Sequence, residues 1–290
     1  MKQATIVLAS AGAPLLVGDD RAGPRPASWR TYAAMARAAR RSVLNFALSF
    51  WLGIAMSVFL LLTTLYLWRT ILAHAHNMGG WTWTTMRSYI AVTFVASTLV
   101  SMSAEWQMAG RILDGSVAID LTRPVDYQLA RLAESLGLGV AELATGVAIS
   151  VLTVMAFGGL RLPPAYLWPA FLVSMAAVLP LKWTATYVVT LLCFWTHNYL
   201  GLSWARQAIT ALLSGAMIPL SLLPVWLKDP AQVLPFQGMA STPGLIFAGR
   251  LHGGSLVEGL VVQWAWVIGG LLLTRLAWSR ASRRLTVHGG

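Results

Sequence analysis

Six stretches of this chain are long and apolar enough to be read as helices crossing about 30 Å of hydrocarbon, which takes roughly 20 residues each. They are residues 42–68, 88–106, 138–157, 166–195, 207–223 and 256–278. A soluble protein built from them could not cover itself with polar surface. Of the 290 residues, 57% are hydrophobic and 11% charged, whereas a soluble domain carries about 25% charged residues. The sequence therefore predicts an all-α integral membrane protein with six transmembrane helices. Pro180 and Lys182 lie inside the fourth stretch, which is expected to kink or tilt. Pro219 blurs the end of the fifth.

The basic residues orient these spans. With the N-terminus cytoplasmic, fifteen Lys and Arg fall in inner flanks and only Arg69, Arg87, Arg161, Lys228 and Arg250 in outer loops. Lys and Arg collect on the cytoplasmic side, so both termini are placed there. This distribution also accounts for the net charge of +11. Residues that read nucleic acid form a patch beside polar or aromatic side chains, so no nucleic-acid partner is expected. Only three of the 21 basic residues are lysine, a bias typical of GC-rich bacteria, and the expected location is a bacterial cytoplasmic membrane.

Residues 1–27 read as a mobile cytoplasmic tail, and 28–290 as the membrane domain. The alternative for "MKQATIVLASAGAPLLVGDD" is a signal peptide, which would put Arg30, Arg37, Arg40 and Arg41 on the wrong side. "SWRTYAAMARAARRSVLNF" follows, with Trp29, Tyr32, Met35 and Ala36 at helical spacing among arginines. It reads as an amphipathic helix lying in the inner interface, or as a plain basic flank.

No constellation for catalysis is visible. His74 and His76 form an H-x-H pair with no carboxylate or cysteine nearby, and Cys193 is the single cysteine, so neither a metal shell nor a disulfide follows. A G-x-x-x-x-G-K-[ST] phosphate loop is missing, so the chain is not expected to be an enzyme or to hydrolyse ATP itself. Glu258 and Arg275 lie near enough to the ends of the sixth span to reach the interface; the other charged residues within spans are Glu105, Glu142 and Lys182. They are read either as a structural Lys–Glu pair or as a polar point on a substrate path.

The segment "RILDGSVAIDLTRPVDYQLARLAESLG" resembles the loop after the second span of ABC-2 type transporter permeases, through Gly115, Leu121, Arg123 and Pro124. A second region, "MIPLSLLPVWLKDPAQVLPFQGMASTPGLIFAGR", is similar through Ile218, Pro219, Leu220, Pro224, Leu234, Pro235, Phe236, Pro243 and Gly249. Gln263 and Trp266 in the sixth span complete a resemblance that runs from Trp29 to the C-terminus. It implies a type V exporter-like permease: two permease subunits, as homo- or heterodimer, and two cytoplasmic ATPase subunits that bind ATP and Mg. No cofactor is implied for this chain. The first segment would then be the coupling helix, begun by Pro124 and presenting Asp126, Gln128 and Arg131. Leu129, Leu132 and Leu136 form an apolar stripe that would anchor it; the plain alternative is an amphipathic connector. Residues 222–254 would partly re-enter as an outer cap, with Pro235, Phe236 and Trp226 as gate elements, or form a simple loop. An ion-coupled secondary transporter and an intramembrane enzyme stand as alternative functions.

Overall fold

A computed structural model describes residues 29–42, 47–74, 78–99, 102–196 and 198–282. The expected tail, residues 1–27, and His76 lie outside them. Every regular element is helical: α1 (Trp29–Ser42), α2 (Ala47–His74), α3 (Trp83–Thr98), α4 (Met102–Leu113), α5 (Val117–Leu121), α6 (Tyr127–Ala156), α7 (Trp168–Leu191), α8 (Tyr199–Leu213), α9 (Val225–Val233), α10 (Phe236–Phe247) and α11 (Gly253–Ala281). No strand occurs among the described residues.

Among the described residues, four helices are long and apolar enough to cross a membrane: Phe50–His74, Tyr127–Ala156, Ala165–Phe194 and Gly253–Ala281. They match the first, third, fourth and sixth expected spans. The other two expected spans are not single long helices. Residues 88–106 divide between α3 and α4, and residues 207–223 contain the end of α8 followed by non-helical backbone from Ser214 to Pro219.

The bundle is organised around α7, which packs against α11, α10, α8, α4 and α6. It runs through Pro180 as one helix and buries Trp183 and Tyr187, stacked on each other, among Met108, Tyr127 and Leu191. Helix α11 meets it along Gln263, Val267, Gly270 and Thr274. Small and polar side chains let apolar helices approach closely. By contrast, α2 lies at the edge. Leu61, Leu65 and Trp68 face the bundle at helical spacing, while Trp51, Phe59, Tyr66 and Leu67 are exposed on its outer side.

Helix α6 has 30 residues, about 45 Å at 1.5 Å per residue, and so exceeds a membrane's apolar depth. Its first turns carry α1 along their flank. The contact depends on Gly137, where an added Cβ would collide with the carbonyl of Ala36. Tyr32 accepts a hydrogen bond from the Asp126 N–H at 3.2 Å. Tyr32, Met35 and Ala36 are half-buried, but Trp29 is exposed. The apolar face of α1 therefore rests on α6.

Candidate coupling face and translocation elements

At the end of the bundle where α4 finishes, Gly115 takes φ +77°, a left-handed turn that favours glycine. Asp114 steadies the turn by accepting from the Ser116 N–H at 2.9 Å. The five-residue α5 follows and is inverted relative to an ordinary surface helix. Its acid, Asp120, is buried with Val117, while Ile119 is 64% and Leu121 42% exposed. Asp120 is held inward by Arg111 at 2.8 Å, Arg131 at 3.6 Å and Arg123 at 3.8 Å. Arg131 also pairs with Glu134 at 2.8 Å and lies over the Tyr127 ring. Tyr127 in turn stacks on Trp278 of α11. The result is an ion-paired platform beneath an exposed aliphatic pair.

Asp126 caps α6 by accepting from the Leu129 N–H at 2.8 Å, and pairs with Arg275 at 2.5 Å. Burial works against its charge, but the Arg275 guanidinium and the Leu129 N–H outweigh it and hold the carboxyl below its ordinary range. Two expectations are corrected here. No separate helix begins at Pro124; the helix beyond it is α6 itself, running on through the third expected span. The stripe of Leu129, Leu132 and Leu136 is not an anchor either. Only Leu132 packs on the core, whereas Leu129 and Leu136 are exposed. The buried side is Ala130, Arg131, Ala133 and Gly137, because small residues admit α1. Leu121, Arg123 and Pro124 are exposed beside the platform, and Gln128 is buried, donating to Thr274.

Within the bundle the two glutamates and Lys182 have different main partners. Glu105, 2% exposed, takes a two-pronged contact from Arg206, at 3.1 and 2.7 Å, and a third bond from Ser203 at 3.1 Å. Lys182 donates to three carbonyls at the end of α3: Ala96 at 2.8 Å, Ser97 at 2.8 Å and Leu99 at 2.7 Å. The last carbonyls of a helix have no partner within it, and a cation suits that negative end. Glu142 acts on Lys182 electrostatically. Arg206 is one of the fifteen basic residues of the inner flanks, yet Ser203, Arg206 and Gln207 at i, i+3 and i+4 mark an inward polar stripe in the sequence.

The backbone break after α8 is closed by other means. Ser214 O accepts from the Ser241 N–H at 3.0 Å, Gly215 O from the Tyr89 hydroxyl at 2.6 Å, Ala216 O from Thr93 at 3.3 Å and Met217 O from the Trp68 indole at 3.1 Å. Four consecutive carbonyls thus find donors on α10, α3 and α2. Irregular backbone persists at membrane depth only where protein or water satisfies it in this way.

Beyond the break, Pro219 is buried and Pro224 exposed. Helices α9 and α10 meet at Leu234 and Pro235. Trp226 is exposed, Pro235 and Phe236 are half-buried, and Pro243 is buried. Gly249 ends the segment at φ +70°. The elbow is level with the middle of α11, because the Trp266 indole donates to Val233 O at 2.8 Å, about 20 Å along that helix from its start. Gln263 ties α7, α10 and α11: its amide donates to Ser174 O and Gly238 O, and its oxygen accepts from the Ser174 hydroxyl. Sequence reading had marked Gln263 but not this role.

A family model described as "ABC-2 family transporter protein" matches residues 58–289. The chain belongs to the ABC-2 transporter family. The ABC-2 match begins inside α2, later than the expected start at Trp29, and includes every element from α3 to α11. No curated protein matches the sequence. The apolar helices and the ABC-2 family together make this a multi-pass membrane protein and a transport component. The charge platform, the two helix breaks and the α9–α10 elbow all lie within the ABC-2 match.

Proposed function

We propose that this ABC-2 family chain is the permease subunit of an ATP-driven exporter, which moves an amphiphilic substrate out of the cell using a separate ATPase. The observation that carries this reading is the inverted α5, with Ile119 and Leu121 exposed over the Asp120 platform. Aliphatic side chains held outward at a polar end form a docking patch, and the ion pairs under them would transmit displacement to α4 and α6, and through the Tyr127–Trp278 stack to α11. Two ATPase subunits, carrying ATP and Mg, would dock on two permeases through Ile119, Leu121, Arg123 and Pro124. The α5 end is then cytoplasmic, with both termini. The six spans would be α2, α3 with α4, α6, α7, α8 and α11, and α9–α10 the re-entrant outer cap. The depth of its elbow beside Trp266 supports that cap.

An apolar cavity of about 340 Å³ lies between α7, α8, α10 and α11, bordered by Val188, Ile209, Phe236, Met239 and Trp266. Its size and lining suit the apolar body of an amphiphile. Lys182 commits its donors to three carbonyls, which speaks against a proton-carrying role in an ion-coupled transporter. The test is affinity purification of the full chain from its native membrane. A nucleotide-binding subunit should accompany it, and Ile119→Asp should reduce that recovery several-fold without lowering the yield of the permease. Recovery without any ATPase would overturn the permease assignment.

A further inference from the structure

At the α5 end, beneath α1, lies a cavity of about 230 Å³ whose arginines also form the Asp120 platform. Met35 of α1, Met108 of α4 and Leu138 of α6 give it an apolar side; Arg111, Arg123 and Arg131 give it a basic one. Glu134 is the one carboxylate among its lining residues. Behind the arginines stands Asp120, shared by all three guanidiniums. Asp114, fully exposed, acts on Arg111 from solvent.

Arg131 is 5% exposed, and its Nε–H finds no acceptor among the described residues. Guanidinium groups match phosphate oxygens in a fork geometry. The cavity also lies under a helix bearing Arg30, Arg37 and Arg40, and basic segments at a membrane's inner face gather anionic lipid.

We propose that this cavity binds a phosphate anion, presented by the headgroup of an anionic phospholipid whose chains run along Met35, Met108 and Leu138, or free in solution. The site rests on the chain lying in a membrane and is independent of what is transported. Occupancy would set a phosphate against the accessible Arg111 and Arg123 guanidiniums and fasten α1 to α4 and α6.

The experiment places the full chain in nanodiscs of phosphatidylcholine alone, of phosphatidylcholine with phosphatidylglycerol, and of phosphatidylcholine with inorganic phosphate in the buffer. Melting temperature and lipid retained in native mass spectrometry are measured. Phosphatidylglycerol is expected to raise the melting temperature and to be retained. Arg123→Gln removes an exposed guanidinium, and Gln107→Glu adds a carboxylate to the cavity wall; each should cut retention several-fold. Arg280→Gln, exposed on α11, should leave it unchanged. A stabilisation by inorganic phosphate, lost in the same two variants, supports the site with phosphate taken from solution. No stabilisation by either source, or one that persists in Arg123→Gln and Gln107→Glu, would overturn the site. So would unchanged lipid retention in Arg123→Gln with weakened ATPase recovery, which would assign the arginines to an acidic partner surface.

Discussion

The helical backbone breaks after α3 and again after α8, and these breaks are closed in opposite ways. After α8, four carbonyls are served by donors on three elements, and none of those donors is charged. After α3, a single ammonium on α7 serves three carbonyls. The neutral solution is distributed, so each donor carries a share. The charged one is concentrated, and it imports a cation that must itself be kept comfortable, here with Glu142 in electrostatic range. A helix break in an apolar bundle is therefore specified by its partners rather than by its own residues.

The largest expected effect is at the concentrated break. Lys182→Met leaves three carbonyls without donors, a loss on the order of several kcal/mol, read as a lower melting temperature and folded yield in detergent. Lys182→Gln, with two amide hydrogens, should recover part of it. If the ammonium served mainly a glutamate, Glu142→Gln would restore Lys182→Met. With the carbonyls as its main partners, the double variant should recover little.

At the distributed break the same measurement should show smaller steps. Tyr89→Phe removes the donor to Gly215 O and leaves the other three in place, for about 1–3 kcal/mol. A loss as large as that of Lys182→Met would erase the contrast between the two breaks.

The smallest effect is at the exposed α5 end, where water shares the work. Asp126→Asn keeps an N-cap and loses the Arg275 pair, worth about 0–1 kcal/mol at an exposed site. Asp126→Ala loses the cap as well, for about 1 kcal/mol more. Because the folded Asp126 carboxyl is held below its ordinary range, its contribution is complete above about pH 4. It fades as pH falls through the lowered folded value. Melting temperature against pH should show that decline in the wild type, and Asp126→Asn should show a smaller one, since the Asp114 carboxyl is lowered as well.

The long spans were legible in sequence because an uninterrupted apolar run is a local property: α2, α6, α7 and α11 needed no partner to be seen. The breaks were not, because their donors are remote in the chain. Nothing near Ser97 names Lys182, and nothing near Gly215 names Tyr89. The turn at Gly115 and Pro124 was visible from residue types, but the inward Asp120 was not, since it required three arginines from different elements. Leu129 and Leu136 misled for a physical reason. Apolar spacing marks a buried face only where water surrounds the other faces, and here the close packing of α1 selected the small residues instead. Glu105 was legible as a charge within a span, but its partner Arg206 was not, because Arg206 falls among the flanking basic residues.

The assignment of the α5 end as the ATPase contact is tested most directly by a photo-crosslinking residue placed at Ile119 in one full-length variant and at Trp226 in another. Both positions are exposed, and they belong to elements at opposite ends of the proposed topology. Irradiation in native membranes should join Ile119, and not Trp226, to a nucleotide-binding subunit. An ATPase adduct at Trp226 with none at Ile119 would contradict both the orientation and the coupling face.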